Sequence, residues 1–98
     1  MISERALADF QRIAEFVEAH DPGGGGARIG AIIAAIDVLA SSPRIGRPAA
    51  EGHRELIIGR GAHGYVALYA YFQPEDLVVI AGIRGQREAG FAPAEEDE

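Results

Sequence analysis

The sequence contains no cysteine, which excludes disulfides, a thiolate metal site and a thiolate nucleophile. Lysine is absent as well: all nine basic residues are arginine, a skew that genomic base composition alone can produce and that carries no functional implication. Long apolar runs are missing. The strongest ones, over residues 29–40 and 77–83, are too short to span a bilayer, and Met1-Ile2-Ser3-Glu4-Arg5 lacks the apolar core of a secretory signal. A cytoplasmic protein with no membrane partner is expected. Positive charge is also scarce. The net charge is −6, of which Glu95-Glu96-Asp97-Glu98 supplies four of the fifteen acids; without them eleven acids face nine bases, or −2. Such a balance argues against broad adhesion to nucleic acid, which needs clustered positive charge. A local arginine patch is still compatible with it.

What is present suits one small domain. Hydrophobic content of 48% with 24% charged residues is ordinary for a globular chain and unlike a disordered one. A chain of 98 residues buries only roughly two thirds of its unfolded surface, so the core is modest and a partner is a natural source of further stability. A single domain over residues 1–91 is expected, followed by a disordered acidic tail over 92–98.

Ser3 is placed to cap a first helix by accepting a bond from an orphan amide of the first turn. Leu7, Phe10, Ala14 and Val17 recur at spacings of three and four with Ile13 beside them, which predicts an amphipathic helix over 3–19. His20-Asp21-Pro22 and the glycines 23–26 break it. A second helix over 27–40 carries Ile29, Ile32, Ile33, Ile36 and Leu39 on one stripe, and Ser41-Ser42-Pro43 stops it. Residues 44–48 read as an irregular connector, with Arg44 and Arg47 holding it by bonds to carbonyls or helix-end groups.

Period-two patterning then predicts strands over 54–58, 65–72 and 77–84, joined by a glycine-rich link and a tight turn at Gln73-Pro74-Glu75-Asp76. Short links imply an antiparallel meander. In the middle strand Val66, Leu68, Ala70 and Phe72 share one face, expected under the helices. Tyr65, Ala67, Tyr69 and Tyr71 share the other, expected to lie open. The fold class is α+β: an N-terminal antiparallel helix hairpin packed on one face of a small antiparallel sheet.

The last strand delivers Arg84 and, shortly after, Arg87 and Phe91 to one sheet end. Arginine presents a fixed charge and a planar fork of donors, so this end is the leading candidate for a working surface. The glycines 23–26 lack the spacing and the Lys-Ser/Thr ending of a phosphate loop. His20, His53 and His63 show no metal-ligand spacing and read as surface residues.

Ala34-Ala35-Ile36-Asp37-Val38-Leu39, Pro43-Arg44-Ile45-Gly46-Arg47-Pro48, Arg54-Glu55-Leu56 and Ile83-Arg84-Gly85-Gln86-Arg87-Glu88-Ala89-Gly90-Phe91, in that order after the helix words Ala6-Leu7-Ala8-Asp9-Phe10 and Phe16-Val17, resemble the RelE/ParE toxin superfamily. The resemblance covers about residues 3–91. It implies the toxin of a type II toxin–antitoxin pair of the plasmid-stabilisation kind, needing no cofactor or metal. Its antitoxin, encoded beside it, commonly joins a ribbon-helix-helix DNA-binding part to a flexible wrapping arm, and operator DNA is reached only through that antitoxin. RelE-like members cut mRNA on the ribosome. ParE-like members inhibit DNA gyrase.

Many relatives read Ile-Arg-His-Gln-Arg-Glu-Ala-Gly-Tyr at the terminal segment. Here the histidine position is Gly85 and the tyrosine position is Phe91. Glycine cannot transfer a proton and phenylalanine has no hydroxyl to donate, so no catalytic residue is expected; Arg84 and Arg87 are the candidates if RNA is cleaved. The resemblance therefore implies a ParE-like gyrase inhibitor, with a RelE-like endonuclease and a decayed toxin that only binds antitoxin as alternatives. Arg84, Arg87, Phe91 and Arg60 are the expected target-binding residues, and Tyr65, Tyr69 and Tyr71 the expected antitoxin-binding ones. Many relatives also begin with a strand; with only Met1-Ile2 ahead of Ser3 that strand is expected to be missing or vestigial. A free sheet edge would follow, to be paired by the antitoxin arm.

Overall fold

The computed structural model describes residues 1–20, 23, 25–59 and 64–86. Arg60, His63, Arg87, Phe91 and the acidic tail lie outside the described residues. Helix α1 spans Glu4–His20 and α2 spans Gly25–Val38. Ser3 caps α1 as its hydroxyl predicts: the Ala6 N–H donates to Ser3 Oγ at 3.0 Å and the Leu7 N–H to Ser3 O at 2.9 Å. The buried face of α1 is Ala6, Asp9, Ile13 and Val17, one position earlier than expected at its first turn, so that Leu7 is 45% exposed. From α2, Ile32 and Leu39 are buried and Ile29 and Ile36 pack against them, whereas Ile33 turns outward. Each fully buried aliphatic side chain here contributes about 2 kcal/mol of burial.

The sheet has four antiparallel strands in sequence order: β1 (Arg47–Pro48), β2 (Arg54–Ile58), β3 (Tyr65–Phe72) and β4 (Leu77–Gly85). β1 lies inside the segment expected to be irregular. It is joined to β2 by a turn in which Glu51 and Gly52 both have positive φ, 60° and 78°, the geometry of a tight hairpin that glycine takes without a Cβ penalty. Asp76, at φ 51°, closes the β3–β4 turn in the left-handed region that aspartate tolerates.

The faces of β3 are the reverse of those expected. Tyr65, Ala67 and Tyr69 join Ala6, Ile13, Val17, Ile32 and Leu39 in the core under the helices, and Tyr69 and Ala67 are fully buried. The physical reason is that the Tyr69 hydroxyl finds partners on this side: it donates to Pro43 O at 2.8 Å and accepts the Gly46 N–H at 2.9 Å. A buried phenol so satisfied behaves as a large apolar body with its polar tip provided for. Gly46 is required by the same approach, since a Cβ there would stand 2.7 Å from the Tyr69 ring and 2.9 Å from Glu55 O.

A bulge decides the opposite strand. Leu68 pairs with Gly82 and Tyr69 with Ile80, leaving Ala81 as an extra residue in β4. Strict alternation would put Ile80 and Ile83 on opposite faces. The bulge switches the parity and both enter the core.

The edge of β4 is not free. Ile2 bridges Ile80 in parallel, the Ser3 N–H donates to Ile80 O and the Ile80 N–H to Met1 O, both at 2.9 Å. Ser3 Oγ adds a bond to Ala81 O at 3.3 Å. Further along, the Ile83 N–H donates to Oδ2 of the buried Asp9 at 3.0 Å. The first strand is thus vestigial, as expected, but the open edge expected beside it is closed by the chain itself.

Candidate functional site on the open sheet face

With the helices on one side, the other face of the sheet is built from alternate residues. Across the strands Ile57 pairs with Val66 and Val66 with Arg84, Glu55 with Leu68 and Leu68 with Gly82, Ala70 with Val79, and Phe72 with Leu77. This is an apolar band. Ile57 and Phe72 are nearly half exposed, at 45% and 48%, while Val66 is buried. The band's large exposed apolar side chains are Ile57 toward one end and Phe72 with Leu77 toward the other, and such exposure on a small domain makes this face a candidate contact surface.

Two charged features frame the band. Arg84 stands at its end, half-buried, with Nη1 donating to Gly85 O at 3.2 Å. On the β1 side, Arg47 Nη2 and Nε lie 3.0 and 3.1 Å from Glu55 Oε1; the Arg47 side chain is 62% exposed and that of Glu55 20%. Arg47 therefore belongs to the open face and not, as expected, to the bonds that hold the connector. The connector is held instead by Arg54, whose Nη1 donates to Gly46 O at 2.8 Å and Arg44 O at 3.2 Å. Only the pairing of Arg47 with Glu55 reveals the difference, and a two-residue strand containing proline leaves no periodic signal.

Arg44, expected to bond carbonyls or helix-end groups, reaches instead to the β3–β4 turn and the Tyr71 ring. Its Nη2 donates to Gln73 Oε1 at 2.9 Å and its guanidinium lies 5.0 Å from the Tyr71 ring centroid, a cation–π distance. Tyr71 donates in turn to Asp76 Oδ1 at 3.0 Å, which raises its phenol above the ordinary tyrosine range. Of the three tyrosines expected on an open face, Tyr65 and Tyr69 are covered by the chain's own helices and only Tyr71 reaches the rim. Arg84 is the one expected target-binding residue within the described residues.

The remaining chemistry is sparse. The strands β2, β3 and β4 contribute no histidine. His20 is exposed, stacked on Phe16 with ring centroids 4.1 Å apart, its Nδ1–H donating to Phe16 O at 2.9 Å, and His53 is half-buried just before β2. Among the described residues no cluster of histidines and acids is suited to hold a metal ion, and no helix is long and apolar enough to cross a membrane. On the helix side, Leu7 and Ile33 with Ile2, Phe10 and Ile36 line an apolar recess of about 250 Å³.

Residues 1–90 match the family model described as ParE toxin of type II toxin-antitoxin system, parDE. Among curated proteins, Toxin RelE3 of Caulobacter vibrioides is 32% identical over 87 residues, which cover 89% of this chain and 92% of that protein.

Proposed function

Because the chain belongs to the ParE toxin family of type II toxin–antitoxin systems, we propose that it inhibits DNA gyrase by binding, through the open sheet face that ends at Arg84. The observation that carries this reading is the composition of that face. Among the described residues it offers apolar side chains for docking and one arginine at the strand end, and the strands that build it carry no histidine. Its carboxylate, Glu55, is engaged by Arg47. A surface so built binds a macromolecule; among the described residues it supplies no acid–base pair. A cognate antitoxin holds the toxin inactive until it is removed, and the ribbon-helix-helix type is the kind proposed.

The name of the relative, Toxin RelE3, favours a second reading, a ribosome-dependent mRNA endonuclease in which Arg84 contacts RNA. Expression of the chain without its antitoxin separates the two. Chromosome damage with intact mRNA is the expected result, and codon-spaced mRNA cuts overturn it. Unimpaired growth would leave only a decayed toxin. Arg84→Ala is expected to reduce growth inhibition by at least tenfold in surviving cells, on the order of one lost charge-assisted contact, with the melting transition unchanged.

A further inference from the structure

The face on which Arg84 stands is decided upstream of it. Ile80 lies opposite Tyr69 and faces the core. In a regular strand Gly82 and Arg84 would follow it into the core, leaving Ile83 on the open side. The extra residue at Ala81 shifts the alternation by one. Ile83 therefore enters the core opposite Ala67, and Arg84 stands opposite Val66 on the open face.

The same shift turns the main chain. In antiparallel pairing one residue directs its N–H and C=O toward the neighbouring strand and the next directs them away. Ile80 directs both outward, to Met1 O and the Ser3 N–H, each at 2.9 Å. Regular pairing would next turn out the N–H groups of Gly82 and Arg84; the bulge turns out that of Ile83. That group meets Oδ2 of Asp9 at 3.0 Å. Asp9 is 3% exposed, on the buried face of α1, and its Oδ1 lies 3.6 Å from Arg12 Nη2. The bulged residue is itself held from the start of α1, by Ser3 Oγ donating to Ala81 O at 3.3 Å.

The spacings agree. From Ser3 to Asp9 a helix advances about 9 Å, and from Ile80 to Ile83 a strand advances about 10 Å. Outward N–H groups at Gly82 and Arg84 would instead lie about 7 and 13 Å from Ile80. The two holds on α1 thus fit the bulged register and not the regular one.

We infer that Asp9 is a positioning residue for Arg84: its carboxylate holds β4 in the register that puts this arginine on the open face. Burial of Ile83 favours the same register, and the carboxylate fixes the peptide beside Arg84 from the edge. The inference rests on the reading above that Arg84 meets the target. It gives α1, on the far side of the sheet from the working surface, a part in setting that surface.

The test is a double-mutant cycle on growth inhibition by the full chain, titrated with inducer so that the residual inhibition by Arg84→Ala is measurable. Asp9→Ala is expected to raise the expression level needed for half inhibition by roughly threefold to tenfold. Asp9→Asn, whose amide oxygen still accepts the Ile83 N–H, is expected to raise it by less than about twofold. In the Arg84→Ala background Asp9→Ala should change nothing further, because its effect passes through that side chain. An equal loss in both backgrounds overturns the inference, since simple destabilisation acts in both; so does an asparagine variant as impaired as the alanine one. Undiminished inhibition by Arg84→Ala alone overturns the reading of Arg84 as target-binding, and the inference with it. Should Asp9→Ala fail to fold, or the double variant fall below detection, amide exchange on the unaltered chain decides. The Ile83 amide is expected to exchange more slowly than unstructured backbone by on the order of tenfold or more, and an Ile83 amide without that protection overturns the inference.

Discussion

Tyr69→Phe isolates the single oxygen that turns β3 over. The ring is fully buried and stays so in the variant, so its burial is unchanged. What is lost is a hydroxyl with two bonds, donated to Pro43 O and accepted from the Gly46 N–H. Each bond is worth about 1 kcal/mol net, and the buried Gly46 N–H, left without its acceptor, adds the desolvation cost of an orphaned donor, about 1–3 kcal/mol. The sum is about 3–5 kcal/mol, partly relieved if water reaches the connector. For a domain of this size each kcal/mol moves the melting temperature by about 4–8 °C, so a fall of roughly 12–40 °C is expected in a calorimetric or circular-dichroism melt. Because Tyr69 has no accessible surface, antitoxin affinity measured well below the transition should change by less than about twofold. A melt within about 2 °C of the unaltered chain would refute the claim that this hydroxyl ties the connector to the core. A large loss of affinity at unchanged stability would instead return Tyr69 to a binding role.

The Asp9 carboxylate stands in for a strand at the β4 edge; Asp9→Ala leaves the Ile83 N–H buried without its acceptor and is expected to cost about 1–3 kcal/mol in urea unfolding. Tyr71 should ionise above the usual phenol value of 10.0, chiefly because it donates a hydrogen bond to Asp76, with desolvation and the Asp76 charge adding and Arg44 opposing. Since the neutral phenol is the donor, the stabilisation this link provides is present below the unfolded-state value and lost as pH rises through the raised one. A difference titration of phenolate absorbance against Tyr71→Phe should show the midpoint falling in Asp76→Ala.

Much of the architecture is legible in local patterning. The strands around Tyr65 and Leu77 stand out as β-branched and aromatic runs between turn residues, and Ser3 announces α1. The candidate site and its supports are legible only in part. Arg84 is recognisable because an apolar strand leads straight into it. Asp9 is not, because an acid on an amphipathic helix reads as its solvated face, and only the arrival of Ile83, 74 residues later, gives it a buried partner. The bulge at Ala81 is equally silent: nothing in Ile80-Ala81-Gly82-Ile83 marks which residue will be skipped.

Periodicity, caps and turn residues act between neighbours in the chain, so the order of elements, the α+β class and the family words could be read from the sequence by itself. Which side of β3 meets the helices could not, because both alternating sets are apolar enough to be buried. The choice falls to carbonyl and amide partners of Tyr69 that lie 26 and 23 residues away. The open face at Ile57 is therefore a product of packing, set by where one buried hydroxyl finds its hydrogen bonds.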